Sequence, residues 1–104
     1  MNKFERRTTM PLSDFALRVG RQPQEIKEEN PSWLHRGLKG GHTVRLEEMP
    51  SVPGSVVISM LRVNYHIFEH HVTDWRLGRP LDAPPKKRQF SQREIDQLYH
   101  NLIG

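Results

Sequence analysis

Cysteine is missing from all 104 residues, which excludes disulfides and thiolate-held metal. Long apolar runs are missing as well. The richest stretch, Val56 to Leu77, is interrupted by Arg62, Asn64, His66, Glu69, His70 and Asp74, so it is not a membrane span. Apolar residues amount to only 35% and charged ones to 27%, which limits the chain to a small core and at most one ordinary domain. The opening MNKFERRTTM is charged and has no apolar segment of the secretory kind, so synthesis in the cytoplasm is expected. No serine or histidine sits in a nucleophile motif, and the Gly40-Gly41 pair reads as turn chemistry rather than a phosphate loop. No catalytic residue, cofactor or resident metal is expected.

What the chain does have is positive charge, unevenly placed. The net charge is +4 and the isoelectric point about 9.9. Arg76, Arg79, Lys86, Lys87, Arg88 and Arg93 crowd the C-terminal third, opposed there mainly by Asp82 and Glu94. Such a run suits an acidic protein surface or phosphate, so nucleic acid is a secondary partner expectation for the basic arm.

Local patterns divide the chain. Lys3 to Thr9 reads as a short polar strand. Ser13 is a candidate N-cap, followed by Phe15, Ala16 and Val19 on one helical face, with Gly20 placed to end the turn. A second short helix opens on Pro23 and stops at Asn30-Pro31, because the residue before a proline is pushed out of the α region. After Gly40-Gly41, Val44 and Leu46 alternate with Thr43 and Arg45 as in a strand. Residues 48–55, with two prolines and a glycine, read as a linker. Leu61, Tyr65, Phe68, Val72 and Trp75 are spaced 4, 3, 4 and 3 apart, one stripe of a helix over 56–78. Residues 79–90 form a proline-rich basic arm, expected to be extended. The last helix, 91–104, opens on the capping box Ser91-x-x-Glu94 and carries Ile95, Leu98, Tyr99 and Leu102 on one face. The fold class is therefore α+β: a small βααβ domain at 3–47 followed by helical and basic extensions. The extensions hold more apolar helix surface than the head can cover, so association with other chains is expected.

The order of signals in residues 3–47 resembles a LysM module. Leu12 and Ser13 stand at the end of the first turn, Phe15-Ala16 and Gly20 match the first helix, and Ile26 and Asn30-Pro31 the second. Leu38, Gly41, Val44 and Leu46 match the closing strand. The family's Gly-Asp-Thr is replaced here by Thr9-Met10-Pro11, and the proline before the second glycine by Gly40. Those departures touch the loops that in the family bind N-acetylglucosamine chains, so peptidoglycan is a secondary expectation. LysM-like modules also serve as adaptors in phage tail and baseplate proteins. The resemblance thus implies a non-enzymatic structural component of a virion, docking onto neighbouring structural proteins as part of a homo- or hetero-oligomer. Trp33, Leu34 and His42 are the candidate contacts on the head. Tyr65, Phe68, Trp75, Leu98 and Tyr99 are those on the helical stripes, and Lys86, Lys87 and Arg88 those on the arm.

Two other patterns compete. His66-Ile67-Phe68-Glu69-His70 has the form of an inverted zinc-protease motif, but the stripe expected to face the core leaves both histidines towards solvent. Residues 12–30 also read as a helix-turn-helix with 40–46 as a wing, as in a small DNA-binding regulator. Its reading helix would present Gln22, Gln24, Glu25, Lys27, Glu28 and Glu29, and three carboxylates there repel phosphate.

Overall fold

The computed structural model describes residues 5–37, 39–73, 77–78, 80 and 82–103. The chain is a small α+β domain with two antiparallel sheets. Its elements in order are β1 (Thr9–Pro11), α1 (Leu12–Val19), α2 (Pro23–Glu28), β2 (Leu34–Arg36) and β3 (His42–Arg45). A 3-10 turn (Leu46–Glu48) leads to β4 (Val52–Pro53), α3 (Gly54–Leu61), α4 (Tyr65–His71), β5 (Gln89–Phe90) and α5 (Gln92–Ile103). The first sheet has the order β1-β3-β2, and β4 pairs with β5. Among the described residues no helix is long and apolar enough to cross a membrane.

Local chemistry explains the first half. Leu12, Phe15 and Ala16 bury one face of α1, and Gly20 ends it at φ 70°, a left-handed conformation open to glycine. The Gly20 N–H donates to the Leu17 carbonyl and the Arg21 N–H to that of Ala16, satisfying two of the helix's last acceptors. Pro23 occupies the first turn of α2, and the Glu25 carboxylate accepts from the Gln22 N–H at 3.1 Å. Asn30, at φ 51°, breaks the chain before Pro31. Three expectations change here. Among the described residues the first strand is Thr9–Pro11, where Met10 reaches the core, and residues 5–8 of the strand expected over Lys3–Thr9 are not part of it; Lys3 and Phe4 lie outside the described residues. Helix α1 begins on Leu12 behind Pro11, so Ser13 lies inside the helix and caps nothing. A further strand, β2, pairs Leu34 with Val44 and Arg36 with His42, making a hairpin with β3.

The second half departs further. Residues 48–55 are no linker: Met49, Val52 and Gly54 are buried, and Gly54 opens α3. Among the described residues the helix expected over 56–78 is broken between α3 and α4, and residues 74–76 of it lie outside the described ones. Arg62 takes a left-handed conformation at φ 56°, and Asn64 then caps α4, its side chain accepting from the Ile67 N–H at 2.9 Å. Asn64→Ala should therefore cost about 1 kcal/mol in urea unfolding, a typical N-cap loss; an unchanged midpoint would mean that tertiary packing alone holds α4. The basic arm is folded too. Pro85 is buried, Lys87 and Arg88 donate backbone N–H groups to the Pro84 carbonyl at 2.8 and 3.0 Å, and Val52 pairs with Phe90. The capping box of α5 is present: the Glu94 N–H donates to Ser91 Oγ at 3.2 Å, and the Ser91 N–H to the Glu94 carboxylate at 3.1 Å.

There is accordingly no head with separate extensions. One cluster of buried apolar side chains runs from Met10 in β1 to Leu98 in α5. Helix α3 lies at its centre and buries Val56, Val57, Met60 and Leu61. The side-chain amide of Gln92 donates to the carbonyls of Leu46 and Met49 at 2.7 and 3.0 Å, tying α5 to the 3-10 turn. Arg6 bonds Asp96 and Gln92, and the Arg7 N–H meets the Met60 carbonyl.

Candidate functional site

Most of the polar face of α1 carries short or charged side chains, but Leu17 sits among them and is 81% exposed. A lone exposed leucine is ordinary; its surroundings are not. Val19 and Gly20 continue the same turn, and Arg18 points outward beside them. Helix α3 starts alongside, with the Ser55 hydroxyl donating to the Arg18 carbonyl at 3.2 Å. On the far side runs the segment that enters β5. The Ser55 N–H donates to the Lys86 carbonyl at 3.0 Å and the Gly54 N–H to the Arg88 carbonyl at 2.8 Å. This segment therefore caps α3 with its backbone and turns Lys86 and Lys87 out to solvent.

These three pieces enclose a groove of about 510 Å³, lined by Leu17, Arg18, Val19, Gly20, Pro53, Ser55, Lys86, Lys87 and Gln89. Val19 and Pro53 supply apolar surface, and Arg18, Lys86 and Lys87 supply positive charge. Among the described residues no lining side chain is acidic. Lys86 is steadied by the Tyr65 ring, whose centroid lies 4.8 Å from its ammonium. Desolvation, with the charge of Glu69 and the hydrogen bond to it, raises the Tyr65 hydroxyl above its usual pKa.

A second hollow, about 540 Å³, is lined by His66, Glu69, His70, Val72, Thr73 and Pro85. His66 and His70 are exposed one turn apart on α4, as the stripe implies. Among the described residues no three His, Cys, Asp or Glu side chains are placed to hold a metal.

The other expected contacts fall in three groups. Trp33, Leu34 and His42 are half-buried. Trp33 tilts against Phe15 with ring centroids 5.3 Å apart, and Leu34 lies opposite Val44. Trp33 and Leu34 thus belong to the edge of the core, while His42 pairs with Arg36 at the other end of the hairpin. The three do not form one surface. Phe68 and Leu98, expected on a contact surface, are fully buried in the core, and Tyr65 and Tyr99 are half-buried. Trp75 and Leu38 lie outside the described residues. Arg88 corrects the reading of the arm: its guanidinium is buried, donates to the Val72 carbonyl at 3.1 Å, approaches Asp82 at 3.9 Å and lies over the Phe90 ring. Burying a charge is costly unless it is bonded, so Arg88 is structural. Lys86 and Lys87 of the same run are exposed. Their neighbours Leu17 and Arg18 were legible in principle, since Leu17 is the one apolar side chain off the Leu12–Phe15–Ala16–Val19 face.

The element order of a helix-turn-helix is also present. Helices α1 and α2 are joined through Gly20 and followed by the β2–β3 hairpin. Gln24, Glu25, Lys27, Glu28 and Glu29 are exposed on and just beyond α2. Arg21 bonds the Glu29 carboxylate, and that bond raises the arginine's pKa and lowers the glutamate's. The pair braces the turn.

No family model, curated protein or solved structure matches the chain.

Proposed function

We propose that this protein is a non-enzymatic docking module, an adaptor that seats in a larger protein assembly through the groove beside Leu17. The observation that carries this reading is the exposed leucine beside three cations, on a groove built by segments far apart in sequence. Burying Leu17 against a partner is worth about 1.5–3 kcal/mol, while the cations contribute mainly to encounter rate and orientation. The first half runs strand, helix, helix, strand, strand, so β2 is added to the βααβ pattern. The part that is shared, two helices between the paired strands β1 and β3, is what supports the likeness to LysM modules, and through it a tail- or baseplate-type virion as the assembly.

The test follows the chain in the cells that make it. In sedimentation, the tagged chain is expected to travel with a large particle, and Leu17→Asp is expected to release it while the circular dichroism and melting of the purified variant stay unchanged. Continued co-sedimentation of the variant would remove the groove from the docking role.

A second reading is supported by the α1–α2 turn followed by a hairpin, the order of a winged helix-turn-helix. Three carboxylates against one lysine on the α2 face weigh against it. On the docking reading, duplex DNA at 50 mM salt is left unshifted. A shift that falls steeply with salt and is lost in Lys27→Glu would favour the regulator instead.

A further inference from the structure

Building on the docking reading, we infer that the occupant of the Leu17 groove is an acidic protein segment bearing one bulky apolar side chain flanked by carboxylates. The charge on the groove is one-sided. Arg18 stands on the α1 wall, Lys86 and Lys87 on the wall that enters β5, and among the described residues no lining carboxylate offsets them. Carboxylates entering between the walls meet positive charge from both, an arrangement that sets orientation and excludes basic partners. Leu17, Val19 and Pro53 give the same groove an apolar strip, which recognises an aliphatic or aromatic side chain.

Those apolar residues also decide against nucleic acid. Single strands are held by aromatic platforms on which bases stack, and no aromatic residue among the described ones lines this groove. Duplex binding draws on many phosphate contacts, and three cations around an apolar strip provide few. The rigidity of the site favours selective capture. Both walls are fixed to the start of α3 by backbone hydrogen bonds from Gly54 and Ser55 and by the Ser55 hydroxyl, so the cations project from ordered backbone.

The probes are two labelled ten-residue peptides, one with a central leucine among glutamates and one with every glutamate replaced by glutamine. Fluorescence anisotropy with the full chain is expected to show saturable binding of the acidic peptide. Affinity should fall about tenfold or more in the double variant Lys86→Glu, Lys87→Glu, and again in Leu17→Asp. It should weaken with added salt and be unchanged in Lys39→Glu, away from the groove. Melting curves of each variant confirm that the fold is kept. Equal binding of both peptides, or no binding of the acidic one up to 1 mM, overturns the inference. So does an oligonucleotide that binds with the same dependence on Lys86 and Lys87. Concentration-dependent dimerisation abolished by Leu17→Asp would overturn it as well, since the occupant would then be a second copy of this chain. If the peptides fail while Leu17→Asp still frees the chain from its particle, the docking reading stands and only the acidic chemistry is wrong.

Discussion

Gly54→Ala is expected to destabilise the protein by about 3 kcal/mol or more, although it adds only one methyl group to a helix start. A Cβ at residue 54 would lie 1.8 Å from the Pro85 carbonyl oxygen, 2.9 Å from its carbon and 3.2 Å from the Lys86 Cα. All three are backbone atoms, so no rotamer change relieves the clash. The turn at 84–88 has to move away from α3. That movement stretches the Gly54 and Ser55 hydrogen bonds to the Arg88 and Lys86 carbonyls and leaves the first turn of α3 uncapped. Overpacking costs about 1–3 kcal/mol, and each lost backbone bond at a partly buried helix end adds about 1 kcal/mol. For a domain of this size such a loss lowers the melting temperature by about 15 °C, read by differential scanning calorimetry. The groove would suffer too, because Lys86 and Lys87 ride on the displaced turn. A melting temperature within about 2 °C of the parent would show that the turn does not pack against α3 as described.

Phe68→Ala is the second large effect, and it separates two views of the helical stripe. If Phe68 faced a partner chain, the isolated protein would barely notice its loss, as for most surface changes of about 0.5 kcal/mol or less. Instead Phe68 is fully buried, its ring set edge-on to Phe90 at 5.5 Å between centroids. Truncation removes that contact and leaves a cavity between α4 and β5, at about 3–5 kcal/mol. The neighbouring Ile67→Ala is the control: Ile67 is 41% exposed, and its loss should change stability by under about 1 kcal/mol. Guanidinium unfolding of the two variants at one protein concentration makes the comparison. A Phe68→Ala midpoint matching that of Ile67→Ala would return Phe68 to the surface.

Local rules read several turns and helix ends correctly because the deciding interactions there lie within a few residues. Gly20 in its left-handed turn, Pro23 in a first turn, and the Ser91–Glu94 box all close over three or four positions. The inward faces Leu12–Phe15–Ala16 and Ile95–Leu98 follow from helical period alone. The break at 62–64 escaped for the opposite reason. The 4-3 spacing of Leu61, Tyr65, Phe68 and Val72 runs through it unchanged, and only Asn64, a good cap in the middle of the run, marked the second start. Strands β4 and β5 are two residues each and carry no periodicity, and their pairing joins positions 38 apart. No window along the chain shows it.

The candidate site divides in the same way. That Lys86 and Lys87 are exposed followed from charge in a proline-rich stretch, since lysines seldom leave water. The same stretch misled about Arg88, because which side chain of a basic run turns inward depends on what waits there, here the Val72 carbonyl, Asp82 and the Phe90 ring. By itself, then, the sequence determined the α+β class, the turn at Gly20, the Pro23 and Ser91–Glu94 helix starts, and the absence of disulfides, through preferences that each residue carries into any context. Only the tertiary structure decided that both halves share one core, that the supposed linker and arm are packed parts of it, and that Leu17 meets Arg18, Lys86 and Lys87 at one groove. Those outcomes rest on which distant surfaces exclude water together, a property of the folded whole that no short segment holds.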